Sequence, residues 1–152
     1  MALTGLWLVL IATVVIVALA TSAKRDDGGS IISEGTVSVT SLQVGDCVNG
    51  LQDSDDVASL PAVPCSVGHE GEVFVVFDLP PGPYPGESGL RGQVEVRCNA
   101  ELDSYAPNAI SDVTIGLFHV GPDEVSWDRG DREVVCIASS LDGVTTGSVR
   151  DR

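Results

Sequence analysis

Apolar and polar positions divide this chain into two unequal parts. Residues 2–23 read ALTGLWLVLIATVVIVALATSA, and only Thr4, Gly5, Thr13, Thr21 and Ser22 interrupt the run. As a helix rising ~1.5 Å per residue, such a run spans roughly 33 Å, enough to cross a bilayer core. It has no polar face, which argues against a core helix of a soluble domain. Trp7 suits a membrane interface. Ala18-Leu19-Ala20 resembles a signal-cleavage site. The run is long for a signal peptide, however, and no basic side chain precedes it. Residues 1–23 are therefore expected to be an uncleaved transmembrane anchor, with a signal sequence as the alternative.

Beyond residue 23 the pattern changes to short segments separated by turn residues. Residues 24–34, KRDDGGSIISE, read as a polar tether hinged at Gly28-Gly29. Residues 35–39 alternate, with Val37 and Val39 on one side, and predict a strand. Leu42, Val44 and Cys47 continue an extended pattern through the turn dipeptide Gly45-Asp46. Residues 60–65 predict a second strand, which Pro61 and Pro64 assign to a sheet edge. Residues 72–79 hold the run Val73-Phe74-Val75-Val76-Phe77 and predict a central strand buried on both faces. Residues 80–89, PPGPYPGESG, predict a loop.

Over residues 93–105 two periods compete. Val94, Val96 and Cys98 alternate, whereas Val94, Cys98, Leu102 and Tyr105 share one helical face. The second pattern runs longer and Pro107 supplies a stop, so a helix is expected. Residues 113–120 predict a strand, 122–131 a loop carrying Trp127, and 133–138 a strand through Cys136. Residues 144–149 predict a last short strand after the Asp142-Gly143 turn. Together these elements predict an α+β domain over 35–152: a small, mostly antiparallel sheet of about six strands with one helix. The transmembrane helix precedes it.

Charge sharpens the division. Every Asp, Glu, Lys and Arg lies at or after Lys24, and the net charge of -14 belongs to the part after the apolar run. An acidic domain of this kind is repelled by phosphate, so nucleic acid is excluded as a partner. A neutral or basic partner fits better. The basic pair Lys24-Arg25 follows the run. Taken alone, the positive-inside rule puts the domain in the cytoplasm.

The cysteines argue the other way. Cys47, Cys65, Cys98 and Cys136 all lie in the acidic part, and their spacing lacks the paired C-x2-C signature of a zinc site. Two disulfides are expected, which implies an oxidising compartment. Three pairings are open. Cys47 and Cys65 flank a polar excursion between two apolar stretches, which suits a hairpin cross-link and leaves Cys98 with Cys136. A start upstream of Met1 that supplied basic residues would reconcile the two topology signals. The cysteines carry more weight, so the domain is expected to be extracytoplasmic on a single-pass anchor in the cell membrane, or secreted if the leader is cleaved.

Few residues suggest chemistry. His69 and Glu72 have H-x-x-E spacing, and a metal-dependent hydrolase centred on them is one alternative. Gly68 and Gly71 disfavour the helix that such a motif needs, and a catalytic zinc takes three protein ligands. The local reading is that His69 hydrogen-bonds nearby and shapes the turn after Cys65. His119 sits in an apolar strand and reads as a packed residue. Asp53, Asp55 and Asp56 begin like a calcium loop, but Ala58 and Pro64 occupy the positions that need Gly and Glu. Trp127 and its neighbours Asp128-Arg129-Gly130-Asp131-Arg132 suggest an aromatic covering the sheet end above a sharp turn at Gly130. A ligand-stacking Trp127 is the sharper reading. No catalytic residue, metal or cofactor is expected, and the chain does not read as an enzyme.

Several short strings, in order, resemble the septum formation domain family of actinobacterial envelope proteins. They are Gly45-Asp46-Cys47, Pro64-Cys65-Ser66 with His69, and Glu72-Val73-Phe74. Tyr84-Pro85-Gly86 and Cys98 follow. Pro122, Trp127 and Gly130-Asp131-Arg132 with Cys136 come next, and Thr146-Gly147-Ser148 closes the set. The resemblance covers about residues 37 to 150, with Gly68 standing where the family pattern has Pro. It implies a membrane-anchored or exported domain linked to the division site or envelope. The expected function is non-catalytic binding of envelope or division proteins, or of neutral cell-wall material. Tyr84, Trp127 and His69 are the candidate contact residues. A sensory or structural ectodomain partnering another membrane protein is a further alternative.

Overall fold

The computed structural model describes residues 22–51 and 57–152. Its elements are β1 (Lys24–Arg25), β2 (Ile31–Ser33), β3 (Gly35–Ser38), β4 (Cys47–Val48), β5 (Ser59–Val63), β6 (Gly71–Asp78), α1 (Glu87–Tyr105), β7 (Ile115–Val120), α2 (Glu124–Asp128) and β8 (Glu133–Ser140). The apolar leader up to residue 21, and the acidic loop with Asp53, Asp55 and Asp56, lie outside the described residues. Among the described residues, no helix is long and apolar enough to cross a membrane.

Six strands form one sheet in the order β3-β5-β4-β6-β8-β7, each hydrogen-bonded pair antiparallel. The apolar run Val73–Phe77 lies in β6, inside the sheet between β4 and β8, where side chains on both faces are covered. A bulge between Val73 and Val75 matters for packing. Regular alternation would send Phe74 and Phe77 to opposite faces. The extra residue lets both enter the core beneath α1. Val73 and Val76 face the other way, toward Val37, Val48, Leu60, Ala62 and Ile137. The sheet curls, so its first strands close over the face that α1 does not cover.

Helix α1 buries Leu90, Val94, Cys98 and Leu102, a stripe of i,i+4 neighbours. It starts at Glu87, six residues before the sequence expectation. Gly89 and Gly92 each weaken a helix by about 1 kcal/mol. Burying Leu90 contributes about 1.5–3 kcal/mol and offsets much of that cost. Glu87 in the first turn suits the helix dipole. The disulfide Cys98–Cys136 then ties α1 to β8, and Cys47–Cys65 ties β4 to the turn after β5, the pairing favoured from the spacing.

Four expectations are corrected. The strand with Pro61 is not at an edge: β5 lies between β3 and β4. The Pro61 carbonyl accepts from Asn49 N–H, just past the end of β4, so the missing proline donor falls where the ladder has already stopped. The loop over 122–131 contains α2, capped by Asp123, whose carboxylate accepts from Ser126 N–H. Residues 144–149 form no strand. They make a single bridge, Thr145 to His69, and lead into a 3-10 turn at Val149–Asp151. Residues 24–33 form the two-stranded ribbon β1–β2, with Gly28-Gly29 as its turn and Gly29 at a φ of 87°.

Candidate functional site

Glu72 is the organising residue of the region where three parts of the chain meet. It stands on β6 facing the α1 side and is 2% exposed. Its Oε1 accepts from Tyr105 Oη at 2.6 Å and from Ser148 Oγ at 2.8 Å, and its Oε2 accepts from Val149 N–H at 2.6 Å. Buried carboxylates need such donors, since an unsatisfied one is costly. Glu72 thereby joins the end of α1 and the C-terminal segment to the sheet. Burial and the neighbouring Glu72 push the Tyr105 hydroxyl up to about 12. The Arg150 guanidinium lies 4.3 Å over the Tyr105 ring.

His69 and Glu72 line one small cavity with Ala138 and Thr145, but the His69 ring is engaged by its own turn. Its ring is 1% exposed, and Nδ1 bonds the Val67 carbonyl at 2.9 Å. Its backbone exchanges two hydrogen bonds with Thr145. The ring shapes the turn after Cys65, as the local reading expects. Among the described residues, no three His, Cys, Asp or Glu side chains converge on a point that could hold a metal. His119 is half-buried on β7, and burial lowers its pKa against the pull of Glu95.

Trp127 and Tyr84 do come together, with ring centroids 5.7 Å apart in edge geometry. Trp127 is 5% exposed, donates Nε1–H to the Gly82 carbonyl, and is packed into the α1-side core. The Arg132 guanidinium covers its ring at 3.7 Å and donates to the Trp127 carbonyl. Gly130, at a φ of 97°, makes the sharp turn. This cluster pins the 80–86 loop to the sheet end. The Trp127 ring offers no open face for stacking a ligand.

A concave surface among the described residues adjoins Glu72 and Ser148. A cleft of about 490 Å³ runs between the β1–β2 turn and the C-terminal 3-10 turn. Gly29, Gln43, Gly45, Cys65, Ser148 and Arg150 are among its lining residues. One wall is fixed by Arg25, whose two terminal nitrogens meet the two oxygens of Asp46 at 2.6 and 2.7 Å. Arg25 also donates to the Gly29 and Ser41 carbonyls. Asp46 is nearly sealed and holds the Arg25 guanidinium above its usual pKa. Among the described residues, no carboxylate lies within ion-pair distance of Arg150.

Sequence reasoning missed Arg25, Asp46, Tyr105, Ser148 and Arg150. One signal was present: Asp46 and Ser148 sit inside strings that carry the family resemblance, yet neither belongs to a chemical motif. A family model described as septum formation matches residues 26–136, more than half of the chain. No curated protein and no solved structure matches.

Proposed function

The chain belongs to the septum formation family, and from that premise we propose a division-related, non-catalytic binding role. The reading places an extracytoplasmic domain on a single-span membrane anchor, where it holds envelope or division components. The two disulfides support an oxidising compartment. The apolar run before Ser22 supports the anchor.

The observation that carries the binding role is the cleft with Arg150 at its edge. Among the described residues Arg150 has no carboxylate at ion-pair distance, and its exposed guanidinium, laid over the Tyr105 ring, keeps donors for a partner in the cleft. Its planar fork suits carbonyl and carboxylate oxygens. The strong negative charge disfavours polyanions, so a neutral, amide-rich partner such as a peptide segment or acetylated glycan fits best. Glu72, by contrast, has both oxygens engaged by protein donors and serves as a support for the cleft wall.

In-cell cross-linking of a tagged chain at native level tests this. Enrichment of division or wall-synthesis proteins, lost in Arg150→Gln while the melting temperature holds, is the expected result. Recovery of cytoplasmic proteins alone overturns both the topology and the function.

A further inference from the structure

The ribbon that replaces the expected tether has a consequence for where the domain sits. Ser22 and Ala23 end the apolar run in the sequence, yet they already belong to the fold. Ser22 bridges Thr36, Ala23 N–H donates to the Thr36 carbonyl, and Ala23 packs against the core formed by the first strands. Two residues later Arg25 is clamped to Asp46. The apolar residues before Ser22 number about twenty, which is what a bilayer core of ~30 Å consumes as helix. A span that ends at Thr21 leaves no linker before the fold, and one further residue would reach at most ~3.6 Å.

We propose that the domain is seated directly on the bilayer, with the β1–β2 ribbon in the headgroup layer. This rests on the anchored reading above. The exposed side chains of the ribbon fit that position in part: Ile32 is 58% exposed and points away from the core, and Lys24 is exposed. Asp26, Asp27 and Glu34 are exposed beside them, so attraction to anionic lipid is not the driving force. The seat is imposed by the short connection, with Ile32 as the apolar contact. The cleft shares Gly28 and Gly29 with this ribbon, so its ligand is met close to the membrane surface.

The test uses the full chain in nanodiscs of neutral phosphatidylcholine doped with a headgroup spin label. Methyl relaxation is compared at Ile32 and at Val96, which is 74% exposed on α1 across the sheet. Several-fold faster relaxation at Ile32 is expected. A flexible Gly/Ser insertion between Thr21 and Ser22 should erase the difference while leaving the domain folded. Equal relaxation in the uninserted chain, or a difference that survives the insertion, overturns the seating while leaving the anchor intact. Failure of the chain to enter the discs overturns the anchor and the seating together.

Discussion

The Tyr105 hydroxyl lies 2.6 Å from Glu72 Oε1, joining the last turn of the long helix to the middle of the sheet across 33 residues of chain. Ser148 and Val149 reach the same carboxylate from the far end of the sequence. Three segments that are distant in sequence thus depend on one side chain.

Glu72→Ala is expected to cost about 2–4 kcal/mol, because it leaves the buried Val149 amide without an acceptor and removes the charge-assisted bonds from the Tyr105 and Ser148 hydroxyls. Tyr105→Phe removes one charge-assisted hydrogen bond and should cost about 1.5–3 kcal/mol. Urea midpoints at unchanged m-value check both. A Glu72→Ala variant as stable as the parent would show that Glu72 does not hold these segments.

Alkaline pH should weaken the fold through Tyr105. Its folded pKa is raised from 10.0 to about 12, first by burial and then by Glu72. The fold therefore favours the neutral phenol. That contribution is intact below pH 10 and is lost as pH rises toward 12. Phenolate absorbance should show a late-titrating tyrosine, and Tyr105→Phe should remove both that step and its share of the alkaline destabilisation.

The two disulfides should differ in value. Their loops span 18 and 38 residues. The chain-entropy model gives about 3 kcal/mol for Cys47–Cys65 and about 4 kcal/mol for Cys98–Cys136. Paired Cys→Ala variants should follow that order in denaturation midpoint. Peptide mapping without reduction should recover Cys47 with Cys65, and a Cys47–Cys136 peptide would contradict the fold.

Breaking the Arg25–Asp46 pair should loosen the ribbon before the rest of the domain. Asp46→Asn keeps the contact to Gln43 N–H but loses the ion pair, at a cost of about 2–4 kcal/mol. Hydrogen exchange should accelerate first at the Asp26 amide, which bonds the Ser30 carbonyl inside the ribbon. Uniform acceleration across β6 and β8 would instead mean that the pair supports the whole sheet.

The centre of the sheet was legible because Val73–Phe77 is apolar without interruption, and only a strand covered on both faces accommodates that. The buried stripe of α1 was legible from Val94 onward. Its first turns were hidden because residues 80–89 read as loop and the helical pattern was followed only from residue 93, although Leu90 sits four residues before Val94 and continues the stripe. The position of β5 was misread because proline excludes a strand from the sheet interior only where its nitrogen faces a partner, and periodicity does not show which way Pro61 faces. The ribbon was hidden for another reason. Its stability comes from Asp46, 21 residues beyond Arg25, and a charge pair at that distance leaves no local pattern. Glu72 was noticed for its spacing from His69, but its partners lie 33 to 77 residues away, and no motif links them.

Glu72 also sets the order in which the chain can mature. A polypeptide is made from its N-terminus, so β6 emerges long before Ser148 and Val149. Until those last residues arrive, the carboxylate must stay hydrated, and the sheet face around it cannot dry. Docking of Ser148 and Val149 therefore completes this junction, and until it happens a hydrated, charged seam remains where the helix meets the sheet.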